Sequence, residues 1–445
     1  MSATPTRFVL AALTLASAAS FAGQMHPSAV VAARMDGAKF DATPNLRFSC
    51  ESRKFDLTQG LFCYNPFSIR SAYGVDKLIA NGGDGTGQTI VILDAFGSPT
   101  IDADLAAFDA AFGLPAPASF QQIKMPGTPA FDPANGDMVG WTVEIALDVE
   151  WAHAMAPNAS IVLVAAKSDF DQDLMDGFNF AVDNRLGSAI SMSFGEAEIF
   201  LANPDGFPIV EGWQAAFKKA ADAKITSFAS SGDQGVDTQN VEGDGFFTAS
   251  ASWPAASDLV TSVGGTNLFF GIGAAANPAG AYIRESVWND QGGSGGGGVS
   301  ILTALPNFQR DNLSASVLSS LHGHRAIPDV AYNAGVAGGV LVHIGTIAPA
   351  ATAFFLVGGT SAGSPQWAGI MGDINSARHN AQGFLNDDLY KLGRQGRLNF
   401  RDITAGDNSF DGVQGFPAVA GFDLSTGWGT PDFVGLAKSL NSHEN

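Results

Sequence analysis

The sequence predicts an α/β fold, with a mostly parallel central sheet flanked by helices. Apolar runs of strand length recur at Thr89 to Asp94, Ser160 to Ala165, Ala189 to Ser193 and Ile225 to Ser230. An unbroken apolar run suits a strand covered on both faces, as in a parallel sheet. Between the later runs lie amphipathic stretches of helical length, Asp171 to Asn184 and Glu211 to Ala223, and such alternation marks a doubly wound sheet. Of the 445 residues, 46% are hydrophobic and 15% charged, enough to bury a large core, and 53 glycines imply many tight turns.

In chain order, residues 1–22 read as an export signal: Arg7 precedes an apolar run from Phe8 to Ala22 that ends in small residues. The run is too short, and too rich in Ala and Ser, for a membrane anchor. Residues 23–63 form a short, weakly periodic segment without a core of its own. Cys50 and Cys63 are the two cysteines; in an exported chain their spacing suggests one disulfide, the alternative being two free thiols. Residues 64–445 are expected to form one domain. A helix is predicted from Pro66 to Tyr73, then a glycine turn from Gly82 to Gly87. Those glycines precede a strand, whereas a dinucleotide-binding fingerprint follows one, so nucleotide binding is not expected. In such a sheet, chemistry belongs at the carboxyl ends of the strands.

The formal net charge of −20 argues against nucleic acid and anionic membranes as partners. It suits a soluble monomer, and a protein that works in acid, where protonation relieves the repulsion.

Candidate chemistry starts at Gly358-Gly359-Thr360-Ser361-Ala362-Gly363-Ser364-Pro365, where a serine sits at a glycine turn ahead of a helical stretch from Trp367 to Ile374. A helix N-terminus favours developing negative charge, although Ser361 or Ser364 also suits a plain helix cap. None of the seven histidines lies in a stretch typical of serine hydrolases; His153, on an apolar helical stretch, reads as structural. Glu144 and Asp148, four residues apart among Val, Ile, Ala and Leu, share one helix face. Two desolvated carboxyls that close hold a proton between them. Asp233, in Ser230-Ser231-Gly232-Asp233, follows a predicted buried strand; if protonated, it is able to donate to an oxyanion, and otherwise it stabilises a glycine turn.

These motifs, in this order, resemble the sedolisins, the serine-carboxyl peptidases, from about Pro66 to Pro431. The resemblance implies a subtilisin-like fold, with Ser361 as nucleophile, Glu144 as general base, Asp148 as its partner and Asp233 as oxyanion stabiliser. It implies hydrolysis of protein or peptide substrates, with Ser193, Phe194 and Gly195 as the edge that pairs with extended peptides, and a glycine-serine loop from Gly295 to Ser300 near the cleft. Asp94 resembles the position of the aspartate in subtilisins, and beside Glu144 and Asp148 it is expected to be structural. One structural Ca²⁺ is implied, held by Asp402, Asp423 and the carbonyls of Ile403, Val419 and Gly421; the family usually has glycine where Val419 stands. Exported members commonly carry a large prodomain, and the short segment before residue 64 is expected to lack one. Competing expectations are an inactive binding protein of the same fold, or a subtilisin using Asp94, His153 and Ser361.

Overall fold

The computed structural model describes residues 24–34, 50, 62–236, 249–271, 280–348, 353–396 and 400–442. The expected export signal, residues 1–22, lies outside them.

Eight strands build the central sheet: β1 (Thr89–Ala95), β2 (Ser119–Lys124), β3 (Ser160–Ala166), β4 (Ala189–Met192), β5 (Thr226–Ser230), β6 (Thr261–Gly271), β7 (Ala281–Val287) and β8 (Val330–Asn333). Their order is β7-β6-β5-β4-β1-β3-β2, and β8 also pairs with β6. All pairings are parallel except β6 with β7, an antiparallel edge. The sheet expected from the apolar runs is therefore present.

Alternation along β1 shows how both faces are filled. Ile90 and Ile92 enter one apolar cluster with Ile145, Trp151, Trp367 and Ile370. Val91 and Leu93 enter the other, with Leu174, Phe178, Trp213 and Phe217. A strand buried on both sides has no polar face to present, which is why its sequence reads as a continuous run. Truncating one of these buried rings to alanine costs about 3–5 kcal/mol.

The helices follow from local signals. In α1 (Pro66–Tyr73), Asn65 Oδ1 accepts the Ser68 N–H, and Gly74 ends the helix at φ 78°. In α2 (Gly136–Met155), Asn135 Oδ1 accepts the Met138 N–H. Residues 141–155 are buried throughout, so α2 is a central helix rather than a surface one. Helices α3 (Asp171–Asp183) and α4 (Phe207–Asp222) cover the second face. The start of α4 lies four residues before the predicted one, because Pro208 falls in its first turn, where a missing N–H costs nothing. Finally, α5 (Gly363–Arg378) packs on α2. A Cβ at Gly369 would stand 2.6 Å from the Ala152 carbonyl oxygen, so that close packing needs glycine.

Other differences from the sequence reading concern the cleft. The run expected to continue through Ser193 stops at Met192, and the chain resumes as the short strand Phe194–Ala197 in a separate three-stranded sheet. Residues 24–34, in the segment read as weakly periodic and without a core of its own, hold two strands, His26–Pro27 and Val30–Arg34. Cys50 and Cys63 form the expected disulfide, with Cα atoms 5.3 Å apart. Among the described residues, no helix is long and apolar enough to cross a membrane.

Candidate active site

Four elements carry the candidate residues. Strand β1 carries Asp94, the extension of β5 carries Asp233, α2 carries Glu144 and Asp148, and the turn into α5 carries Ser361. Ser361 lies in a 3₁₀ turn, Thr360–Ala362, and no side chain caps α5. The capping alternative thus fails for both serines: Ser364 instead shares a 2.8 Å hydrogen bond with the Ser191 hydroxyl. Ser361 is fully buried, and its hydroxyl donates to the Ser193 carbonyl at 3.4 Å.

Glu144 and Asp148 are fully buried, as their apolar sequence neighbours suggested. Desolvation, and then the Coulombic field of Asp94, push the Glu144 carboxyl well above the usual range; the Ser361 hydroxyl and the Ala29 N–H favour its charged form and pull the other way. Desolvation, then Asp94 and Glu144, raise Asp148 likewise, while the Ser193 hydroxyl opposes. Asp94 is itself fully buried, with both carboxyl oxygens unpartnered, and burial raises it too. Three buried acids this strongly coupled cannot all ionise, so the cluster retains protons that separate carboxyls would lose. Asp94, expected to be merely structural, is electrostatically part of this cluster.

Asp233 is held from one side only. Its Oδ1 accepts the Thr360 N–H at 2.7 Å and the Thr360 hydroxyl at 2.8 Å, while Oδ2 is buried and unpartnered. Desolvation raises this carboxyl to about 7, with the Thr360 bonds opposing and Asp290 adding to the rise. It is therefore protonated in acid and has an O–H to donate.

Gly359 sets the spacing of this corner. Its φ is 111°, and an added Cβ would stand 2.3 Å from the Ser28 carbonyl oxygen and 2.4 Å from Asp233 Oδ2. Both oxygens thus converge on the space that a side chain at position 359 would fill. Replacing Gly359 by alanine is expected to lower the melting temperature while leaving most of the fold intact, because the strain is confined to the turn. Thermal melts followed by circular dichroism check this, and a melting temperature equal to that of the parent chain would refute it.

The convergence also shows what the sequence reading missed: residues 24–34 lie in the cleft. His26 pairs antiparallel with Gly195 and Pro27 with Phe194. The Ser28 N–H donates to the Ser193 carbonyl at 3.3 Å, and the Ala29 N–H donates to Glu144 Oε2 at 2.7 Å. The edge expected to bind extended peptides, Ser193-Phe194-Gly195, here holds an extended peptide of the same chain. Only the β-prone run Val30-Val31 hinted at a strand in that segment.

The remaining expected residues fall as follows. Nε2 of His153 lies 2.8 Å from the Pro115 carbonyl oxygen and 3.1 Å from Asp109, a structural engagement. The loop from Gly295 lies against the Asp233 segment: Gly296 N–H donates to the Gly232 carbonyl, and Ser231 Oγ to the Gly296 carbonyl, both at 2.7 Å. In the expected calcium loop, Asp402 Oδ2 accepts the Gly421 N–H at 2.9 Å, and Asp423 Oδ2 the Val419 N–H at 3.1 Å. The two carboxylates therefore meet at one turn, 419–421, and two acids there are oxygen donors of the hard kind that Ca²⁺ takes. Asp423 also accepts from the Ser425 and Thr426 N–H and hydroxyl groups. Among the described residues, no group of three or more His, Cys, Asp or Glu gathers as a metal cluster.

Comparison with known proteins completes the description. No family model matches the sequence. The chain is similar to kumamolisin of Bacillus sp. (strain MN-32), 33% identical over 383 residues, with 85% of this chain and 63% of that protein covered. It is similar to sedolisin of Pseudomonas sp. (strain 101), 34% identical over 279 residues, with 61% of this chain and 43% of that protein covered. The chain thus spans less than two thirds of the length of either relative. A solved structure of Pseudomonas sedolisin, a serine-carboxyl proteinase complexed with two molecules of pseudo-iodotyrostatin, matches with a TM-score of 0.71 at 27% identity, covering 86% of this chain and 100% of that one.

Proposed function

The chain belongs to the sedolisin family, and on that premise we propose that it is an acid-active serine-carboxyl endopeptidase. The observation that carries this reading is the arrangement around one peptide unit, Ser28–Ala29: its Ala29 N–H donates to Glu144, its Ser28 carbonyl oxygen and Asp233 Oδ2 both face the Gly359 corner, and the Ser361 hydroxyl shares the Ser193 carbonyl with the Ser28 N–H.

The steps follow from the groups. Ser361 Oγ attacks the carbonyl carbon and its proton passes to Glu144. Asp148, buried behind Glu144, shares the charge and proton of the pair. Oxygen takes up negative charge where protonated Asp233 donates to it. Glu144 returns the proton to the departing nitrogen, and the ester on Ser361 is hydrolysed by the same sequence with water as nucleophile. The Ser361 hydroxyl and the Ala29 N–H favour the charged form of Glu144 against its burial, and that charged form is the one that takes the serine proton, whereas below about pH 5 a histidine with pKa ~6.5 is mostly protonated and spent as a base. Digesting a denatured protein across acid and neutral pH, with the Ser361→Ala variant as control, tests the reading. Cleavage that persists in that variant would sink it.

The proposal extends to export and to one structural calcium. Export is supported by the Cys50–Cys63 disulfide, which persists in oxidising compartments. For Ca²⁺, Asp402, Asp423 and the carbonyls of Ile403, Val419 and Gly421 would be the ligands, and the ion would offset the repulsion of two acids on one turn. Binding to the native state alone raises stability by mass action, about 2.7 kcal/mol at one hundred times Kd. Chelator is expected to lower the melting temperature near neutral pH, Asp402→Asn to reproduce that loss, and the pH profile of the surviving enzyme to stay the same. An unchanged melting temperature, with no metal in elemental analysis, would remove the calcium and leave the catalytic reading standing.

A further inference from the structure

We propose that Asp290 is a positioning residue for Asp233: its side chain ties the hairpin beneath Asp233 to the turn beneath Gly359, and so fixes the corner where the oxyanion forms. The inference rests on the peptidase reading above and adds a residue to its machinery.

Two supports, distant in sequence, meet at this corner. The first is a hairpin in which Asn289–Asp290 pairs with Gly293–Ser294. The Ser294 N–H donates to the Asp233 carbonyl at 2.9 Å, and the Ser294 carbonyl accepts the Gly235 N–H at 2.8 Å. The fit is close: a Cβ at Gly293 would stand 2.5 Å from the Asp233 carbonyl oxygen. The second support runs from Ala334 into the 3₁₀ turn Val336–Gly338. The Ala334 carbonyl accepts the Gly359 N–H at 2.8 Å, and a Cβ at Gly358 would stand 2.8 Å from Val336 Cγ2. Asp233 and Thr360 meet between the two supports, through the bonds of 2.7 and 2.8 Å already described.

Asp290, half-buried, joins the supports. Its Oδ1 accepts the Gly292 N–H at 2.8 Å, inside the hairpin. Its Oδ2 accepts the Val336 N–H at 3.0 Å and the Ala337 N–H at 3.3 Å. A local turn needs only the first of these bonds. The other two reach a segment 46 and 47 residues away. Gly292 lets the supports touch, since a Cβ there would stand 2.4 Å from Val336 Cγ2. Asp290 also acts on Asp233 through space, because its charge adds to the burial that holds the Asp233 proton in place. Glu144 is the other titratable group that feels Asp233. An oxyanion donor works only at hydrogen-bond distance from the developing charge, so the spacing of the supports bears directly on rate.

The test is steady-state kinetics of the full chain on one peptide substrate across pH. Asp290→Asn keeps the size, removes the charge and sets an N–H donor against backbone N–H groups. Its kcat is expected to fall about a hundredfold, the cost of a displacement of about 1 Å. KM is expected to hold, because the Ser193–Gly195 edge is untouched. The alkaline limb of kcat/KM is expected to move to lower pH, since Asp233 loses a neighbouring negative charge. Gly292→Ala, which crowds Val336 and keeps the charge, is expected to lower kcat with the limb in place. A lower melting temperature in Asp290→Asn, with kcat and the limb both unchanged, makes Asp290 a structural lock and overturns the proposal. A higher KM with kcat unchanged overturns it as well. If Asp290→Asn does not fold, an unchanged kcat in Gly292→Ala overturns it alone. Each of these results leaves the peptidase reading standing, whereas a parent chain that cleaves no peptide overturns both.

Discussion

Ser361→Ala and Glu144→Gln are each expected to lower kcat by about three to six orders of magnitude, leaving only the residual catalysis of binding and oxyanion stabilisation. Both side chains are fully buried and close in size to their replacements, so a folded protein should result. Glu144→Gln keeps an oxygen that can take the Ala29 N–H and loses the ability to accept the serine proton. The two losses should not add, because each variant removes the same proton transfer. His153→Ala is the contrasting variant. It removes a buried ring from the Pro115 carbonyl and Asp109, costing about 1–3 kcal/mol of stability, while kcat of the folded protein should hold. Steady-state kinetics on one peptide substrate decide the matter. A lethal histidine change beside a mild Glu144→Gln would transfer the base to His153 and return the chain to the subtilisin reading.

The second large effect is on stability against pH. Burial raises Asp233 and Glu198 each to about 7 and pushes Asp94 up strongly, and the same cause raises Glu150 and Asp373. Unfolded carboxyls titrate near ~4. Each of these groups thus holds its proton in the native state after the unfolded chain has released it. The stability they contribute is complete below about pH 4 and is lost as pH rises through the native values, at roughly 1.4 kcal/mol per pH unit for each group. The melting temperature is therefore expected to fall steadily between about pH 4 and 7. Activity should fade in the same direction as Asp233 ionises and repels the oxyanion. Asp94→Asn, a neutral replacement of similar shape, is expected to flatten the slope by about one proton. Calorimetry at several pH values gives the slope directly, and a melting temperature that climbs towards neutrality would contradict the burial argument.

Both expectations were partly written in the sequence. Four-residue spacing on a helix fixes Glu144 and Asp148 to one face whatever the tertiary structure does, and their apolar neighbours foretold their burial. The continuous run Ile90-Val91-Ile92-Leu93 already specified a strand covered on two sides. Glycines around Ser361, with a helix after it, announced a sharp turn, and the family motifs supplied its chemistry. Local periodicity carries this information because backbone geometry repeats every 3.6 or 2 residues.

What packing decided is of another kind. The distance from Asp233 to Gly359, the entry of Asp94 into the acid cluster, and the stop of β4 before Ser193 each depend on residues tens to hundreds of positions apart. No local pattern encodes such a meeting. The clearest case is Gln24–Arg34, which has little apolar periodicity of its own and takes its conformation from the strands on either side. Its backbone N–H and C=O groups find partners in Ser193–Gly195 and Phe354–Gly358. Backbone hydrogen bonds accept any side chain, so sequence by itself determined the sheet and the acid pair, while tertiary structure alone decided which peptide would lie along Ser193–Gly195.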